Sequence, residues 1–92
     1  EPCAGLDPAA REHFLHFIQR LGVQKNSPTL VLVTHHVEEI MPVFSHLLLL
    51  KMGAVLVTGK KNEALNSRNL SQVFSARMQL LSAGPRYGLK VQ

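Results

Sequence analysis

Between Pro8 and Gly22 the apolar residues Phe14, Leu15, Ile18 and Leu21 recur at three- and four-residue steps, the spacing of one face of an amphipathic helix. Asp7 can cap that helix, Pro8 suits its first position, and Gly22 marks its stop. The largely polar stretch 23–28 reads as a loop. Thr29–Thr34 is a β-rich run, apolar on both faces, which predicts a central parallel strand covered by helices. A second helix is expected to begin near His36 and to be disturbed by Pro42, which lacks an amide hydrogen and clashes with the preceding turn. Leu47–Leu50 predicts another buried strand, Met52-Gly53 a tight turn, and Ala54–Thr58 a returning strand that ends at Gly59. Lys60–Leu65 and Asn69–Phe74 predict two short helices separated by Asn66-Ser67. Met78–Leu81 and Tyr87–Val91 predict a hairpin around Ser82-Ala83-Gly84-Pro85.

That order implies an α/β fold: a parallel core strand with flanking helices, then an antiparallel strand pair and a β tail. Ninety-two residues suffice for one small domain with a modest core. A hydrophobic fraction of 46% excludes a disordered chain. The single cysteine, Cys3, excludes an internal disulfide framework and suits a reducing compartment. The most apolar stretch, Ile40 to Met52, is interrupted by Pro42, Ser45, His46 and Lys51, and falls short of the roughly 20 residues that span a bilayer. The N-terminus carries no basic-then-apolar leader. The expectation is a soluble chain, or one bound to a membrane only through a partner.

The formal charge of +4 is unevenly placed. Residues 60–92 carry Lys60, Lys61, Arg68, Arg77, Arg86 and Lys90 against Glu63 alone. Such a tail could meet nucleic acid or anionic lipid. The basic residues are dispersed, however, and only Phe74 and Tyr87 could stack on bases, so a solvated surface is expected and no nucleic acid.

Taken as residue types, Glu1 is a surface charge and Asp7 is a helix cap. His35 follows the apolar run Leu30–Val33, at the carboxyl end of the expected strand, where open α/β sheets bind ligands. His13 and His16 are three apart on the expected helix, and His35, His36, Glu38 and Glu39 are clustered. Zinc requires three or four converging ligands, and no HExxH or CxxC pattern occurs, so no metal site is expected. Ala54-Val-Leu-Val-Thr-Gly59-Lys60-Lys61 comes close to a phosphate-loop motif. Lys61 replaces the Mg²⁺-ligating hydroxyl, and the β-formers between Ala54 and Gly59 favour a strand over a glycine-rich cradle.

Two segments taken together resemble a known family. Glu1-Pro2-Cys3-Ala4-Gly5-Leu6-Asp7-Pro8 is similar to the end of a Walker B strand running into the D-loop of ATP-binding cassette (ABC) ATPases. Leu30-Val-Leu-Val-Thr-His35-His36-Val-Glu-Glu39 is similar to their H-loop. Cys3 stands where Thr or Ser is more usual, and His36 where Asp is more usual. The resemblance continues through Leu47–Gly59 and Asn66–Phe74. Within the family it is greatest to importers of iron complexes and molybdate, including a photorepair-protein-like branch.

The resemblance implies the C-terminal part of a P-loop NTPase domain over residues 1–92. The Walker A loop, Q-loop and signature motif are expected to lie outside these residues. It implies that Glu1 is the catalytic carboxylate and His35 the ATP-contacting sensor of the γ-phosphate. Ala4, Gly5, Leu6 and Asp7 are then the D-loop at a dimer interface, a role that Asp7 can combine with capping. It further implies ATP with Mg²⁺, a second ATPase subunit and a membrane permease as partners, and a cytoplasmic position at the inner face of the membrane. The 92 residues alone are expected to be inactive. The rival reading is a small basic α/β module that binds nucleic acid or a regulatory ligand without catalysis.

Overall fold

A computed structural model describes residues 1–92. Helix α1 spans Pro8–Gly22, as its local signals predict. Asp7 Oδ1 accepts the Ala10 amide at 2.8 Å, and the far end is closed by the Val23 amide on the Gln19 carbonyl and the Gln24 amide on the Leu21 carbonyl. Gly22 is required by proximity: a Cβ there would run into the Val43 side chain and approach Leu30 at 3.0 Å. Strand β1 (His46–Lys51) pairs antiparallel with β2 (Ala54–Lys60) across Met52-Gly53. Both turn residues have positive φ, 52° and 79°, the twist-matched geometry of a two-residue hairpin. Short helices α2 (Lys61–Ala64) and α3 (Ser67–Phe74) follow. The chain closes with the antiparallel pair β3 (Met78–Ala83) and β4 (Arg86–Val91), where Gly84 supplies the positive φ of the turn.

Three expectations need correction. The stretch 29–34 joins no ladder, so the parallel core strand is not formed. Each hairpin pairs only within itself, β1 with β2 and β3 with β4, and neither pairs with this segment. Leu32 packs against the apolar cluster around Leu15, whereas Val31 and Val33 stay 86% and 67% exposed, so one face is covered and not both. Nor does a full helix follow His36. Val37–Glu39 makes a single 3-10 turn and Ile40 is already extended. Pro42 bars any continuation, because Met41 before it is pushed away from helical geometry and Pro itself cannot donate to the turn, and the chain leaves helical geometry one residue earlier still. Thirdly, Leu47–Leu50 forms a strand that is only half covered, with Leu48 and Leu50 more than half exposed.

The buried interior is divided. Cys3, Leu15 and Met41 form one cluster with Phe14, Leu32, Val43 and Phe44 around it. Val37, Leu65 and Leu70 form another, flanked by Ile40, Leu47, Phe74, Leu80, Tyr87 and Leu89. Polar contacts sew α3 to β3: Ser67 Oγ accepts the Leu80 amide at 2.8 Å and Ser71 Oγ accepts the Met78 amide at 3.0 Å. Asn66 Oδ1 accepts the Asn69 amide at 2.8 Å, which starts α3 two residues earlier than its apolar pattern suggested.

Arg86 adds a further tie between the C-terminal hairpin and the rest. Its guanidinium grips the Glu12 carboxylate of α1 through two bonds of 2.8 and 3.0 Å and also donates to the Glu38 carbonyl. Arg86 therefore is not part of a freely solvated basic face. The Arg86 hydrogen bond and charge hold the Glu12 carboxyl below its ordinary range, against the opposing effect of burial.

Leu15→Ala is expected to cost about 2–5 kcal/mol, since this side chain is fully buried and its removal leaves a cavity among Cys3, Met41 and their neighbours. Leu15→Met is expected to cost less than about 1.5 kcal/mol. Thermal unfolding followed by circular dichroism distinguishes the two. The lowered Glu12 pKa sets a pH dependence: its contribution is present above the unfolded carboxyl value and is lost as pH falls through the folded one. Glu12 is 39% exposed at its side chain, so solvent screening keeps this effect small and salt-sensitive. Arg86→Met is expected to lower the melting temperature at pH 6 and to flatten its fall between pH 5 and 3. Parallel melting curves for the two proteins across that range would show that the pair contributes nothing.

Candidate active site

Glu1 and His35 lie 34 residues apart in sequence and meet in space. The first segment curls on itself: the Ala4 amide donates to the Glu1 carbonyl at 3.2 Å and the Leu6 amide to the Cys3 carbonyl at 3.1 Å. Gly5 takes φ +80°, and Cys3 is buried against Leu15 and Met41. This turn presents the Glu1 carboxylate to the far segment. Glu1 Oε1 accepts the His35 backbone amide at 3.3 Å, and Oε2 lies 3.5 Å from His35 Nε2. The imidazole remains 75% exposed. A carboxylate beside an open imidazole can take a proton from water while the ring donates to an anion, and such contacts are often long before ligand binds.

Beneath this pair lies a second polar group. Glu39 is 2% exposed and its Oε1 accepts the Thr34 hydroxyl at 2.7 Å. The same Thr34 oxygen accepts the His36 amide at 3.0 Å. Arg11 of α1 stands 3.9 Å from Glu39 Oε2. Cys3 and Glu39 border the same hollow, and the Cys3 pKa is raised, chiefly by burial and then by the Glu39 negative charge, with Arg11 opposing. A buried thiol held protonated is a poor nucleophile.

A hollow of about 240 Å³ is lined by Glu1, Cys3, the loop Ala4–Leu6, Arg11, His36 and Glu39. His36 thus lines the same hollow as Glu1, although it makes no polar contact with Glu1. Ala4, Gly5, Leu6 and Asp7 are all exposed, so their loop is free for a surface contact while Asp7 caps α1. His13 and His16 are exposed on α1, with His16 3.8 Å from Glu12. Residues 54–61 form β2, an extended strand paired with β1, and the start of α2; they are no loop of converging amides and hence no phosphate cradle.

Of the residues the sequence singles out, Glu1 contacts His35 and shares the hollow with Ala4–Leu6, while His35 lies outside that lining. The sequence reading passed over Thr34, Arg11 and the buried role of Glu39. The sequence carries little signal for that role: Glu38 and Glu39 stand side by side between Val37 and Ile40, and nothing in the pattern says which of the two is buried.

No protein-family model matches the chain. It is 43% identical over 81 residues to an uncharacterized ABC transporter ATP-binding protein, YlmA, of Bacillus subtilis. It is 38% identical over 80 residues to another, YmeB, of Lactococcus lactis. These alignments take in 88% and 87% of the chain and 31% of each relative, so the chain spans about a third of the length of the curated relatives it matches. A molybdenum import ATP-binding protein, ModC, of Photobacterium profundum is 30% identical over 97% of the chain and 26% of its own length. Over most of its length, then, the chain is homologous to the C-terminal part of the ABC transporter ATP-binding proteins.

Proposed function

We propose that residues 1–92 are the part of an ABC transporter's ATP-hydrolysing subunit that holds the attacking water and reads the terminal phosphate. The observation that carries this reading is the contact of the Glu1 carboxylate with both the backbone and the ring of His35. In this reading Glu1 orients the water and accepts its proton. The exposed imidazole of His35 donates to a γ-phosphate oxygen, a bond that strengthens as charge builds in the transition state. Glu1 in turn orients that imidazole. Mg²⁺, when bound with ATP, neutralises phosphate charge, and no residue here is assigned to it.

The exposed loop Ala4–Asp7 suits contact with a second ATPase subunit. No helix is long and apolar enough to cross a membrane, which fits a subunit that reaches the inner face of the cell membrane through a permease. The cargo we favour is an iron complex or a molybdate-like oxyanion. Two kinds of named relative support import: ModC, and an energy-coupling factor transporter ATP-binding protein, EcfA2, of Spiroplasma kunkelii, 35% identical over 78% of the chain. The rival nucleic-acid module gains no support from these names, and Arg86, one of its basic residues, is engaged with Glu12.

Residues 1–92 purified alone are expected to show no Mg²⁺-dependent ATP turnover, because phosphoryl transfer depends on positioned phosphate contacts that these residues do not supply. In a chimera where they replace the matching third of the B. subtilis relative, Glu1→Gln and His35→Ala are each expected to lower kcat roughly 10²–10³-fold while ATP binding survives. His36→Ala is expected to cost only a few fold, about 1 kcal/mol or less in barrier terms. Steady-state ATPase assays with nucleotide-binding measurements test all three. A dead His36→Ala beside a near-normal His35→Ala would contradict the assignment.

A further inference from the structure

The Glu39 carboxylate joins two segments that the proposed chemistry needs in register. Thr34 belongs to the turn that carries His35 and Arg11 to the helix after the exposed loop, while Cys3, on the turn that carries Glu1, lines the same hollow as Glu39. A carboxylate this deeply buried is costly unless its oxygens are matched, and losing one partner leaves the cost uncompensated. Its Oε1 is matched by the Thr34 hydroxyl and its Oε2 faces the Arg11 guanidinium. The Thr34 hydroxyl is therefore spent as a donor on Glu39, and its lone pair is free to accept the His36 amide. The result fixes the backbone on both sides of His35: its own amide points at Glu1, and the next amide is held by Thr34.

We propose that Thr34 and Glu39 are positioning residues which set the His35 backbone, and hence its imidazole, against Glu1. Neither touches the nucleotide; both act through His35. The proposal rests on the reading of Glu1 and His35 given above, and adds to it a cause for their alignment. The side chain at position 34 has to combine a donor with an acceptor at one atom, which Ser can do and Val, of nearly the same shape as Thr, cannot.

The test uses the same chimera with Thr34→Val, Thr34→Ser and Thr34→Val combined with His35→Ala. Thr34→Val is expected to lower kcat roughly 10–100-fold, as small misplacements of a reacting group do, with the KM for ATP unchanged within about twofold. Thr34→Ser is expected to restore kcat to within about twofold. In the His35→Ala background Thr34→Val is expected to cost nothing further, because a residue that acts only through His35 has nothing left to position. Hydrogen exchange read by mass spectrometry on the peptide containing His35 and His36 is expected to accelerate with Thr34→Val and not with Thr34→Ser. A normal kcat for Thr34→Val, a full additional loss in the His35→Ala background, or unchanged exchange would each overturn the proposal. If His35→Ala itself turns over normally, the reading of the site fails instead, and exchange still decides whether Thr34 holds the turn.

Discussion

Glu1 can reach His35 only because the turn that carries it is pressed against the segment beyond His35. The contact that enforces this is apolar: Cys3 and Met41 close on the fully buried Leu15 of α1. Burial of side chains this size contributes about 1.5–3 kcal/mol each, a large share of what so small an interior can supply. Glu39 adds direction to an attraction that has none. Hydrophobic burial brings the segments together, and the matched carboxylate then selects the one arrangement in which Thr34 and Arg11 both find it.

The second apolar cluster and the C-terminal hairpin are coupled to this arrangement by the packing of Val37, in the 3-10 turn, with the cluster that Leu80, Tyr87 and Leu89 flank, and by Arg86. By gripping Glu12 on α1 and the Glu38 carbonyl in the 3-10 turn, Arg86 connects β4 with both elements that frame the candidate site. The remaining surface is less settled. Val31, Val33, Leu48, Leu50 and Met52 are all exposed, a density of apolar surface that invites a covering partner.

Local signals were legible where the physics is local. Asp7-Pro8 and Gly22 bound α1 because a cap, a fixed φ and a close approach need only their neighbours. Met52-Gly53 and Gly84 gave both hairpin turns for the same reason. Thr29–Thr34 misled because a strand is a statement about partners, and its apolar pattern says nothing of which backbone lies alongside. The turn after His35 ends one residue sooner than Pro42 alone requires. Arg86 with Glu12 is separated by 74 residues, and no periodicity predicts such a pair. The meeting of Glu1 and His35 was legible only through the two family-like segments, since their spacing alone fixes no contact.

The central claim is that Glu1 and His35 work as one unit on a terminal phosphate. A double-mutant cycle of Glu1→Gln and His35→Ala, scored by single-turnover ATP hydrolysis in the chimeric protein, addresses it most directly. If each side chain depends on the other, the double variant falls no further than the worse single variant, as groups acting as a unit are grossly non-additive. Losses that simply multiply would mean that the two act independently, and the contact seen between them would then have no part in catalysis.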